Sequence, residues 1–178
     1  MLCSIKLLLP TNLLHKTFPE MDVSDEQLMK FWAKLNSNQV RYIMIGGFAT
    51  RFHGFNRNTD DIDMWIDDTS ANRKNLRKAF IELGYGDIES LETMDFVPGW
   101  TTFYAAGIEL DILTEMKGLK DLSFDDCLKL ASVADIDGLK IPFLHINHLI
   151  ENKKAVNRLK DQVDVMELER IREIRDRK

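Results

Sequence analysis

The sequence predicts an α/β (α+β) fold: a mixed β-sheet flanked by helices and closed by a helical C-terminal cap. Three observations predict it. Short β-rich runs interleave with stretches of helical period along the chain. A glycine pair, Gly46-Gly47, stands where the apolar run Val40 to Ile45 gives way to a helical pattern. From about His145 to the end the chain reads as helix.

The elements follow in order. Ser24 and Gln27 read as a capping box, with Val23 and Leu28 as a hydrophobic staple. Leu28, Phe31, Trp32 and Leu35 then hold one helical face to about Ser37. Val40 to Ile45 reads as a buried strand, and Gly46-Gly47 turns the chain into a short helix from Phe48 to His53, stopped by Gly54. Asp60 to Ile66 is the next strand. Leu76, Ala79, Phe80 and Leu83 mark a helix from Ala71 to Leu83, with Gly84 as its stop. Residues 84–99 read as loop. Thr101 to Ala105 and Ile108 to Leu113 form a hairpin around Ala106-Gly107. Ser123 opens a short helix bearing Phe124, Cys127, Leu128 and Ala131. Asp137-Gly138 joins Val133–Ile136 to Leu139–Ile141 in a second hairpin. Residues 1–20 form a leader of uncertain role, residues 21–142 the core, and residues 143–178 a helical segment packed on it.

Bulk properties narrow the function. A chain of 178 residues suffices for one cored domain with a small extension. The net charge of −5 argues against a dedicated duplex-binding protein. Residues 151–178 carry nine basic and seven acidic side chains, so the C-terminal segment runs against the acidic trend. Cys3 and Cys127 supply neither a disulfide framework nor a zinc site, which points to the cytoplasm. No apolar run is long enough to span a bilayer, so no membrane partner is expected.

The chemistry concentrates in Asp61-Ile62-Asp63, fourteen residues after Gly47. Strand alternation puts Asp61 and Asp63 on one face, about 7 Å apart at Cα, and turns Asp60 away. Two such acids repel unless a cation sits between them. Hard oxygen ligands suit Mg²⁺ (or Mn²⁺), which commonly arrives with substrate phosphates. The glycine pair offers bare backbone N–H groups at a helix start, a natural phosphate site. Asp111, alternating with Glu109 in Ile108 to Leu113, is the candidate third carboxylate and base, the alternative being that the two acids form the wet face of a half-exposed strand. Arg57 is placed at the site by either of its readings, phosphate grip or partner of the carboxylates.

The pattern Gly46-Gly47, Ala49, His53-Gly54, Arg57, Thr59, Asp61-Ile62-Asp63 resembles the DNA-polymerase-beta-type nucleotidyltransferase superfamily. It is most similar to the small toxin-associated branch that includes the abortive-infection toxins. A second block, Lys153, Arg158, Lys160-Asp161 and Asp164, resembles that branch's second signature. The resemblance spans roughly residues 24–170. It implies an NTP donor, with Gly46 and Gly47 holding the triphosphate, Arg57, Thr59 and Lys153 as further nucleotide contacts, and Asp61, Asp63 and Asp111 as catalytic metal ligands. Many superfamily members carry Gly-Ser where this chain has Gly-Gly. The acceptor is open among tRNA, a protein hydroxyl and a small molecule. A toxin or defence enzyme with an antitoxin partner is one implication; a non-catalytic nucleotide-binding or antitoxin-like protein is the alternative.

The residues themselves say more about the second block. Ile146, Leu149, Ile150 and Lys153 share a helical face, so Lys153 extends a core stripe and either meets an anion, triphosphate or acidic cluster, or snorkels past the helix edge. Asp161 and Asp164, one turn apart, read as a clamp with Arg158 or Lys160. Thr59 also fits a cap before its strand, and His53 a packing residue. Trp65 shares the carboxylate face and fits either base stacking or packing; Trp100 fits an acceptor pocket.

Overall fold

In the computed structural model, residues 7–8, 26–59, 61–97, 101–105 and 108–177 are described. The Ser24 cap, the Val23 staple, Asp60, Trp100, the Ala106-Gly107 turn, Cys3 and most of the 1–20 leader lie outside them. A seven-stranded mixed sheet runs in the order β1-β4-β5-β3-β2-β7-β6. Its strands are β1 (Leu7–Leu8), β2 (Tyr42–Met44), β3 (Asp61–Ile66), β4 (Thr102–Ala105), β5 (Ile108–Leu113), β6 (Ser132–Ile136) and β7 (Leu139–Phe143). Central β3 pairs antiparallel with β2 and parallel with β5. The expected mixed α/β class therefore holds.

Helix α1 (Glu26–Ser37) buries Leu28, Phe31, Trp32 and Leu35 completely, as its apolar stripe predicts. Each such side chain contributes about 1.5–3 kcal/mol by leaving water. Trp32 meets Phe48 of α2 (Gly46–Phe52) edge to face, with ring centroids 5.9 Å apart. Helix α3 (Ser70–Glu82) starts one residue earlier than its apolar pattern indicates, because Thr69 accepts from the Asn72 N–H and caps it. The 84–99 stretch is not all loop: a 3-10 turn spans Glu89–Glu92 and buries Leu91. Helix α4 (Phe124–Leu130) begins at the expected Ser123, which forms a capping box with Asp126. Asp137 and Gly138 both take positive φ, 51° and 82°, as a tight two-residue hairpin turn requires.

The C-terminal region departs from one continuous helix. It splits into α5 (Ile146–Val156) and α6 (Leu159–Asp176). Asn157 sits in the left-handed region at φ 58° and ends α5, while Arg158 is extended and caps α6 through Asp161. Two contacts tie α6 to the core. Arg175 donates to the His53 carbonyl at 2.8 Å, and Arg57 pairs with Asp164.

Candidate metal and nucleotide site

Strand register assembles the carboxylates. Asp63 lies directly across from Asp111, and Asp61 across from Glu109. On the other side of β5, Thr102 faces Asp111 and Tyr104 faces Glu109. One face of the sheet thus carries two polar rows, Thr102–Asp111–Asp63 and Tyr104–Glu109–Asp61. Asp61, Asp63 and Asp111 each present an oxygen within 4.8 Å of the others. Among the described residues they form the only such group of potential metal ligands.

Neighbours hold these acids in place. Thr59 donates to Asp61 Oδ1 at 2.9 Å, and Thr102 donates to Asp111 Oδ1. Burial, with the charges of Asp61 and Asp111, pushes the Asp63 carboxyl up to about 6, while the Gly47 N–H and Lys153 pull it back. Burial also raises Asp111, and Asp61 adds to that, against the Thr102 hydrogen bond and Lys160. None of the three makes an ion pair among the described residues. A compact set of hard oxygens whose mutual repulsion is only partly offset fits a divalent cation such as Mg²⁺ or Mn²⁺.

The glycine pair has a steric reason to be glycine. Gly46 has φ +58°, and a Cβ there would lie 1.7 Å from Asp63 Oδ2. A Cβ on Gly47 would lie 2.1 Å from Thr59 Oγ1 and 3.0 Å from an Arg57 terminal nitrogen. The pair therefore lets the start of α2 close on the carboxylate strand and brings Gly46, Gly47, Arg57, Thr59, Asp61 and Asp63 into one locus.

Lys153 lies elsewhere than in the cleft. It is buried, with Nζ 2.6 Å from Asp164 Oδ2 and 3.6 Å from Asp161 Oδ1. Arg57 Nε stands 3.2 Å from Asp164 Oδ1, in ionic contact without hydrogen-bond alignment. Arg158 Nε donates to Asp161 Oδ2 at 2.7 Å. Asp161 and Asp164 are thus the clamp expected from their spacing, with Arg158 rather than Lys160 as one partner. Burial works against the Asp161 charge, but Arg158 and Lys153 outweigh it and hold the carboxyl below its ordinary range. Lys160 is instead exposed and lines a cleft of about 290 Å³ with Arg57, Asn58, Thr59, Asp61 and Glu109. It stands beside the buried Asp161 on the exposed side of α6.

The weaker candidates resolve as packing. Trp65 is buried, donates to the Thr114 carbonyl at 3.1 Å and meets Phe124 edge to face. His53 is buried with Nε2 2.8 Å from the Leu144 carbonyl.

Three solved structures share this architecture. A candidate nucleotidyltransferase from Thermotoga maritima matches with a TM-score of 0.50 at 18% identity, over 85% of this chain and 91% of its own. An antigenic nucleotidyltransferase-like protein from Paracoccidioides brasiliensis matches at 0.51 and 18% identity, over 83% of this chain and 76% of its own. ANT(2")-Ia in complex with adenylyl-2"-tobramycin matches at 0.52 and 15% identity, over 84% of this chain and 92% of its own. No protein-family model and no curated protein sequence matches the chain. The fold is nucleotidyltransferase-like. Among the described residues no helix is long and apolar enough to cross a membrane.

Proposed function

We propose that the protein is a divalent-metal-dependent nucleotidyltransferase that moves an NMP group from an NTP to an acceptor hydroxyl and releases pyrophosphate. The observation that carries this reading is the Asp61–Asp63–Asp111 cluster, three carboxylate oxygens within 4.8 Å on a nucleotidyltransferase-like sheet. Asp61, Asp63 and Asp111 would hold Mg²⁺ or Mn²⁺, which supplies charge neutralisation at the phosphates and acidifies the attacking hydroxyl. Arg57 and Lys160, lining the cleft, meet the negative charge of the triphosphate. Gly46 and Gly47 leave the approach to Asp63 free of side chains. Thr59 fixes the rotamer of Asp61. Thr102 occupies Asp111 Oδ1, leaving Oδ2 to take the proton of the acceptor. Lys153 acts from below, as a fixed positive charge that favours the ionised form of Asp63.

The similar structure bound to adenylyl-2"-tobramycin supports an NMP as the transferred group. A toxin or defence role with an antitoxin partner rests on the motif resemblance alone, as does a cytoplasmic location on cysteine usage. Titration calorimetry with ATP, GTP, CTP and UTP, with and without Mg²⁺, tests the reading. Metal-dependent binding of at least one NTP is expected, weakened roughly tenfold or more in Lys160→Ala. If no NTP binds in a metal-dependent way, the reading is wrong. Binding without transfer of label to any hydroxyl would make the protein a non-catalytic nucleotide binder.

A further inference from the structure

Arg57 stands where the core meets the cleft. Its guanidinium lies against the start of α2, with one terminal nitrogen 3.0 Å from where a Cβ on Gly47 would sit. Nη1 donates to the Asn58 carbonyl at 3.2 Å. Nε faces Asp164 Oδ1 at 3.2 Å, the one ion pair that Arg57 makes among the described residues. Nε is buried and donates no hydrogen bond, so charge alone holds this side of the guanidinium. The Asp164 side chain is 1% exposed and that of Arg57 20%, so the attraction is only weakly screened by solvent. Asp164 is also shared. Lys153 Nζ donates to its Oδ2 at 2.6 Å and stands 3.6 Å from Asp161 Oδ1, and Arg158 pairs with Asp161 as well. Lys153 and Arg158 already neutralise both acids, so a clamp built only for stability has no use for Arg57. With Arg57 included, three cations meet two carboxylates and one positive charge is left over. Of the three cations, Arg57 is the one that lines the cleft.

We infer that Asp164 is a positioning residue: it holds Arg57 in place for the triphosphate, while Lys153 supplies the counter-charge of Asp164 and leaves that of Arg57 to the nucleotide. This rests on the nucleotidyltransferase reading and assigns a buried part of the α5–α6 hairpin to its phosphate grip. An arginine fixed before the ligand arrives loses less freedom on binding than a loose one, so the tether is felt as affinity for the nucleotide. Asp164 itself stays in the core and touches no ligand; it acts through Arg57.

A double-mutant cycle tests the assignment. Full-length protein is titrated by calorimetry, in Mg²⁺, with whichever of ATP, GTP, CTP and UTP binds the unsubstituted chain, and then as Arg57→Ala, Asp164→Asn and the two together. Arg57→Ala should raise the Kd about tenfold or more. Asp164→Asn keeps the shape and loses the charge, and should raise the Kd about threefold or more with the binding stoichiometry unchanged. The double variant should bind no more weakly than Arg57→Ala. A merely structural aspartate would lower the melting temperature and the binding-competent fraction, yet leave the Kd of the folded molecules alone. An unchanged Kd in either single variant, or losses that multiply in the double, would therefore overturn the assignment. If Asp164→Asn does not fold, Lys153→Met/Asp164→Leu removes the buried pair together, a replacement that apolar residues of similar size often make without loss of stability. Arg57→Ala should then cost clearly less affinity in that background than in the native chain, and an equal cost would overturn the assignment. Failure of the parent reading is separate: the unsubstituted protein then binds no NTP in a metal-dependent way.

Discussion

Two groups of charged residues lie close together in this molecule, and they solve opposite problems. On the sheet, Asp61, Asp63 and Asp111 crowd within 4.8 Å with no ion pair among the described residues. Nearby, Asp161 and Asp164 are almost fully buried, yet Lys153, Arg57 and Arg158 surround them. The second group is neutralised from within and costs the fold little. The first has only the more distant charges of Lys153 and Lys160 to offset it. Charge density alone therefore does not mark a functional site; uncompensated charge held rigidly does. Thr59, Thr102 and the glycine pair keep the three carboxylates from swinging apart, so the repulsion persists until a cation arrives.

Substitution should separate the groups cleanly. Under the proposed function, Asp63→Asn is expected to reduce nucleotide transfer by about a thousandfold or more, since it removes one of the carboxylates that would hold the metal. The same change should leave the melting temperature of the metal-free protein unchanged or raised, because it relieves repulsion with Asp61 and Asp111. A labelled-NTP assay and a thermal melt in chelator read both outcomes. A sharply lowered melting temperature would mean that the cluster is structural and the contrast is false.

Lys153→Met should behave the other way. It leaves Asp164 and Asp161 buried with one cation fewer, a change that costs about 3–5 kcal/mol when a buried pair is broken. Arg57 and Arg158 remain, so the loss should fall at the low end, near ~3 kcal/mol by urea unfolding. Activity per folded molecule should fall less than in Asp63→Asn. A fully stable Lys153→Met protein that binds no NTP would instead place Lys153 on the nucleotide.

The contrast also explains what was legible in the sequence. The carboxylate face was readable because strand alternation is local: Asp61 and Asp63 must share a face wherever the strand goes. The meeting with Asp111 was readable only as a candidate, since it depends on β3 and β5 being neighbours in register. The core stripe of α1 and the capped start of α4 were equally local. Lys153 was harder. Its position on an apolar face says that it needs an anion, but triphosphate and internal carboxylate satisfy that need equally. The break at Asn157 turns α6 back so that Asp161 and Asp164 reach the lysine. A left-handed Asn between two helical patterns carries little signal, so one long helix was the natural reading. Lys160 was missed as a cleft residue for the same reason, because its direction is set only once α6 starts at Leu159.

The finest distinction between the groups lies in how each responds to pH. Burial and its acidic neighbours raise Asp63 in the folded protein to about 6, against 3.8 for an ordinary aspartate. Below about 3.8 both folded and unfolded chains are protonated there, and the residue contributes nothing to the pH dependence. Between these values the unfolded chain ionises first, so the metal-free fold loses stability as pH rises, and above about 6 the full penalty remains. A divalent cation removes that penalty but must compete with the proton below it. The rise in melting temperature on adding Mg²⁺ should therefore be larger at pH 7.5 than at pH 5, and Asp63→Asn should flatten the difference. His53 titrates in the opposite sense: burial holds it down to about 4, and its contribution is lost as pH falls from 6.5 toward that value. It packs against Phe143 and Leu144 rather than the carboxylates, so its effect is the same with and without Mg²⁺ and cancels in the comparison. A magnesium shift that is equal at both pH values would show that the cation binds somewhere other than at Asp63.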